Sequence, residues 1–172
     1  YNDDLFSMST LAHELGHSMH SWYTRRTQPL VYGSYSLFVA EVASTLNEAL
    51  LNSHLLKTRD DPALRKHLIV QQLDDIRATI VRQTMFAEFE LDIHQRTEAG
   101  EPLTADALSK SYYDLVKRYH GPSVTLDDEI AFEWSRIPHF YYNFYVYQYA
   151  TGLSAALALS RKITAEGQPA VD

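Results

Sequence analysis

The sequence predicts an all-α fold, and three features predict it. Apolar residues recur at the three- and four-residue spacing of a helix face, strand-like alternation is nearly absent, and proline or glycine stands where one helical run yields to the next. Five helices follow from this pattern. A chain of 172 residues, 45% of them hydrophobic, is long enough to bury a core as a single helical domain over residues 1–172 without disulfide staples.

The first helix runs from about Asp4 to Arg26, with Asp3-Asp4 as N-cap and first turn, and stops at Thr27-Gln28-Pro29 because proline cannot continue the ladder. A loop through Tyr32-Gly33-Ser34-Tyr35 reads as an interhelical turn. The second helix, about Leu37 to Thr58, carries Phe38, Val42, Thr45, Leu46, Ala49 and Leu50 at core-facing intervals. Asp61 then caps a third, with Pro62 at its first position and an apolar series through Leu64, Leu68, Leu73, Ile76, Ile80, Phe86 and Phe89 to about Ala99. No breaker interrupts this third run, which at about 1.5 Å per residue would exceed about 50 Å, so it is expected either to kink or to belong to something larger before it stops at Gly100-Glu101-Pro102. Thr104 caps a fourth helix that ends at His120-Gly121-Pro122. An acidic loop and a short turn at Glu133-Trp134-Ser135-Arg136 lead to Pro138, which is expected to open the last helix.

Composition removes several functions. A net charge of -7, with no segment concentrating Lys and Arg, argues against nucleic acid as a partner. Residues 140–160 carry no formal charge, yet Asn143, Gln148, Thr151, Ser154 and five tyrosines suit a buried or pocket-lining helix and not a membrane span. The acidic start, Tyr1-Asn2-Asp3-Asp4, does not read as a secretory leader. With no cysteine, thiolate metal sites are absent, and a cytoplasmic, reducing location is the expectation.

His13-Glu14-Leu15-Gly16-His17 carries the chemistry. A helix turns about 100° per residue, so histidines four apart share a face and can converge on one metal ion, while the adjacent Glu can take a proton from water. A catalytic zinc usually has three protein ligands, so a third is required. His20 lies about 10 Å along the axis from His13 and suits a supporting, cleft-lining place beside the ligands. A third histidine six residues past the second, with glycine midway, is excluded because positions 20 and 23 are His20 and Tyr23. Glu41 and Glu48, two turns apart on one face of the second helix, both remain candidates.

If Pro138 opens a helix, His139, Tyr142, Tyr145 and Tyr149 fall within about 120° of one face and can aim their polar tips into one cleft. Such groups can donate hydrogen bonds to an oxyanion.

Three stretches together resemble oligoendopeptidase F and its relatives among the thimet-oligopeptidase-like zinc metallopeptidases. They are residues 13–21, His13-Glu14-Leu15-Gly16-His17-Ser18-Met19-His20-Ser21; residues 40–45, Ala40-Glu41-Val42-Ala43-Ser44-Thr45; and residues 137–152, from Ile137-Pro138-His139 to Ala150-Thr151-Gly152. The resemblance implies a zincin-type helical catalytic subdomain in which the helix bearing His13 packs against the helix bearing the glutamates. It implies that His13, His17 and Glu41 hold Zn2+, that Glu14 is the general base, and that Glu48 orients a ligand histidine. It also implies that His139, Tyr142 and Tyr149 stabilise the intermediate and that Tyr145 contacts substrate, with short peptides as substrates. Because that family's enzymes are several times longer, the resemblance makes this chain the C-terminal, metal-bearing part of a larger catalytic domain, with self-association through apolar surface as a consequence. A helical metal-binding or assembly module without catalysis is the alternative, and would need neither Glu14 nor the tyrosines.

Overall fold

The computed structural model describes residues 2–171, with the side chain of Leu37 outside the description; Tyr1, at the acidic start, also lies outside it. The fold is all-α: six α-helices and no strand are present among the described residues. They are α1 (Leu5–Thr27), α2 (Leu37–Thr58), α3 (Pro62–Ile76), α4 (Arg82–Glu98), α5 (Ala105–His120) and α6 (Tyr147–Glu166). None is long and apolar enough to cross a membrane. The described chain divides into two compact units, one of residues 1–80 and 148–172, the other of residues 81–147.

The caps follow from local chemistry. Asp4 accepts from the Ser7 amide at 2.7 Å, Asp61 from the Ala63 amide at 2.9 Å and Thr104 from the Ala107 amide at 3.2 Å, each satisfying a donor that a helix start leaves without a partner. At the far end of α5, Gly121 takes φ 74°, a left-handed stop that glycine accepts without penalty.

Three expectations are corrected. The single third helix is two, because a π-helical turn at Arg77–Val81 separates α3 from α4. The β-branched run Thr79-Ile80-Val81 crowds its own backbone there, and an i→i+5 turn relieves the crowding without proline or glycine. The turn expected at Glu133–Arg136 is a longer 3-10 segment, Asp128–Arg136. The last helix does not open at Pro138: that proline starts a 3-10 turn, Pro138–Tyr141, and α6 begins only at Tyr147. Phe144, between them, has φ 58°, which breaks any helical continuation.

In the first unit α1 lies along α2, and Gly16 and Ser44 are buried between them. Phe38 and Leu73, placed on core-facing series by their spacing, are 47% and 61% exposed and contribute little to that interior. In the second unit, Met85, Phe86 and Phe89 of α4 pack with Tyr112, Leu115 and Val116 of α5 and with Ile137 and Val146. Tyr112 is fully buried, and its hydroxyl donates to Glu133 Oε2 at 2.7 Å while Arg82 and Arg136 both reach Glu133 Oε1. A buried phenol is thereby satisfied at its only polar atom.

Candidate metal centre

Helix α1 sets the first two side chains. His13 and His17 are one turn apart, and their rings meet edge to face with centroids 4.8 Å apart. Helix α2 brings the acids. Glu41 Oε2 stands 3.3 Å from Nε2 of His13 and 3.6 Å from Nε2 of His17, so one carboxylate oxygen faces both imidazoles. One ligating atom from each of the three residues lies within 4.8 Å of the others.

Glu48 occupies a different position. Its Oε1 lies 2.9 Å from Nδ1 of His13, on the side of the ring away from Glu41. Nδ1–H donating to this carboxylate leaves Nε2 as a lone pair directed at the cluster, which is the form a metal ligand needs. Burial pushes the Glu48 carboxyl up, and the adjacent His13 opposes it.

The helices can approach this closely because Gly16 has no side chain. A Cβ there would stand 2.6 Å from the Ser44 Cα and 2.7 Å from the Ala43 carbonyl oxygen. Ser44 has no exposed surface, and its hydroxyl donates to Glu41 Oε2 at 2.9 Å, holding the oxygen that faces the histidines. Asn47 Nδ2 donates to the Ala12 carbonyl at 3.0 Å and ties α2 to α1 beside the cluster. On the other side of Glu41, Gly152 of α6 comes close enough that a Cβ would meet Glu41 Cβ at 3.6 Å.

Glu14, between the two histidines in sequence, is exposed. His20 does not join the cluster. Its ring stacks on Tyr35 with centroids 3.7 Å apart, Tyr35 shares a 2.9 Å hydrogen bond with Ser21, and burial together with His17 lowers the His20 pKa. Tyr35 falls in the segment expected as an interhelical turn, and its pairing with His20 has no sequence signal.

The tyrosine segment differs from expectation. His139 sits in the 3-10 turn, Tyr142 and Tyr145 lie in the non-helical stretch after it, and only Tyr149 is on α6. They therefore do not form one helical face. Within the second unit His139 and Tyr145 stack at 5.6 Å and Tyr142 lies 6.3 Å from Tyr145, so a turn, not a helix, gathers these three rings.

Sequence reasoning missed Ser44, Asn47 and the part played by Gly16. The only signal for Ser44 was its place one turn after Glu41, from which a short hydroxyl can reach back.

An all-α chain with an HExxH helix crossed by a glutamate helix is the architecture of a metallopeptidase-like domain. The chain belongs to peptidase family M3, whose sequence model matches residues 4–171, and within it to the oligoendopeptidase F type. It is 56% identical to oligopeptidase PepF of Bacillus subtilis (strain 168) over 172 residues, covering 100% of this chain and 26% of that protein. It is 52% identical to the chromosomal oligoendopeptidase F of Lactococcus lactis subsp. cremoris over 161 residues, 94% of this chain and 26% of that protein. The crystal structure of oligoendopeptidase-F from Enterococcus faecium superposes with a TM-score of 0.84 at 48% identity, covering 97% of this chain and 30% of the other. The chain thus spans about a quarter of the length of the curated relatives it matches.

Proposed function

We propose that this chain is the metal-bearing part of a zinc-dependent oligopeptidase that hydrolyses short peptides. The observation that carries the reading is Glu41 Oε2 facing Nε2 of both His13 and His17, at 3.3 and 3.6 Å. Two imidazole nitrogens and one carboxylate oxygen, gathered within 4.8 Å of one another, are the donor types a catalytic zinc takes, so the residues present fit the ion. His13, His17 and Glu41 would hold it, with Glu48 fixing the His13 tautomer. Zinc in such a site supplies Lewis acidity, which acidifies water and polarises a carbonyl.

The chain's own residues do the rest. Glu14 takes the proton from the attacking water and returns it to the leaving amine nitrogen, breaking the peptide bond with charge conserved. His139, Tyr142 and Tyr149 donate hydrogen bonds to the carbonyl oxygen as it gains charge, and Tyr145 contacts the peptide; this assignment is supported by the motif in residues 137–152. A cytoplasmic location belongs to the same reading. So does self-association, since Leu11, Leu15, Met19 and Trp22 form a stripe on α1 that is about half exposed.

The test is metal content combined with cleavage of a quenched fluorescent peptide, with and without chelator. One equivalent of zinc and chelator-sensitive cleavage are expected. Zinc at one equivalent with no cleavage would favour the non-catalytic module, and a chain that takes up no metal would remove both readings.

A further inference from the structure

Glu90 is a carboxylate that the proposed reaction does not use, yet it is buried to 1% exposure on α4. Its Oε1 accepts the backbone N–H of Phe144 at 2.8 Å. An acid is not kept inside a protein without reason, and here burial pushes the carboxyl up while the Phe144 amide pulls it back.

Phe144 explains the arrangement. It is the third residue of a tight turn closed by the Tyr145 amide donating to the Tyr142 carbonyl at 2.9 Å, and its φ is 58°. That position favours glycine or asparagine, and a bulky aromatic residue holds it only when its surroundings compensate. Two do so from α4. Glu90 grips the amide, and His94, one helical turn further on, packs its ring 4.7 Å from the Phe144 ring.

The turn in question carries Tyr142 and Tyr145, and Tyr145 stacks on His139. We propose that Glu90 is a positioning residue, clamping the Phe144 amide so that His139, Tyr142 and Tyr145 keep one mutual arrangement. The proposal rests on the reading that these three rings act on the peptide.

The experiment compares Glu90→Ala, Glu90→Gln and wild type in the 172-residue chain, by hydrogen exchange at the Phe144 amide, chymotrypsin nicking within residues 141–147, zinc content, and kcat and KM. In Glu90→Ala, exchange and nicking should accelerate at least about tenfold as the turn loosens. Zinc content should be unchanged, and kcat should fall about tenfold to a hundredfold, more than KM rises, because the rings lose their arrangement. Glu90→Gln keeps an acceptor and should recover most of each loss. A second pair guards against a folding failure: with Phe144→Gly, which takes positive φ unaided, Glu90→Ala should have a much smaller effect on exchange and nicking. Wild-type exchange and nicking in Glu90→Ala would overturn the clamp. Altered exchange with unaltered kcat and KM would overturn its positioning role. Absence of zinc or turnover in the wild-type chain would strike the peptidase reading instead, and exchange at Phe144 would still decide the clamp.

Discussion

The Cα of Ser44 lies 2.6 Å from where a Cβ on Gly16 would stand, so α1 and α2 touch backbone to backbone one residue before the second histidine of the motif. No flexible side chain is available to move aside. Gly16→Ala should therefore push the helices apart and separate Glu41 from His13 and His17. Overpacking of this kind costs about 1–3 kcal/mol, and we expect a lowered Tm together with weakened zinc binding. An alanine variant with the zinc affinity of wild type would show that the contact does not set the site.

Glu41 and Glu48 should separate cleanly. Glu41→Ala removes an oxygen that faces both imidazoles and should abolish stoichiometric zinc binding. Glu48→Ala leaves the three donors in place but frees the His13 ring, and should weaken zinc about 10–100-fold. Competition with a chelator of known affinity measures both, and the reverse order would exchange the two assignments.

Glu14→Gln keeps the length and volume of the side chain but cannot take a proton. Zinc stoichiometry should stay at one while kcat falls about 10²–10⁴-fold. Undiminished turnover of a quenched peptide by this variant would eliminate Glu14 as the base.

Tyr112 predicts the alkaline behaviour of the second unit. Burial first, then its bond to Glu133, pushes the phenol far above its ordinary 10.0, so the folded chain keeps this proton after the unfolded chain has lost it. Its contribution to stability is complete below pH 10 and declines as the pH rises beyond that, by up to about 1.4 kcal/mol per unit. Tyr112→Phe should cost about 1 kcal/mol at neutral pH through the lost hydrogen bond. The gap between wild type and variant should close above pH 10, as read by chemical denaturation at several pH values; a constant gap would contradict the assignment.

Much of the architecture was legible because its signals are local. Asp4, Asp61 and Thr104 read as caps and act as caps, since a cap needs only a side chain within reach of its own helix start. The errors lie where nonlocal partners compete with the helical ladder. Nothing near Phe144 in sequence announces that Glu90, on another helix, will take its amide, and a reading by period alone therefore runs the helix back to Pro138.

The chain's own order of residues was enough to establish an α-helical molecule and to put His13 and His17 on one side of one helix, because helical spacing is a property of adjacent turns. It left Glu41 and Glu48 equivalent, two acids on the same face. Tertiary packing distinguished them: the glycine-permitted approach of α1 to α2 sets Glu41 against the Nε2 atoms and Glu48 against Nδ1 of His13. Which nitrogen meets which acid depends on the depth and register of a helix crossing, and those are fixed by contacts between residues far apart in the chain.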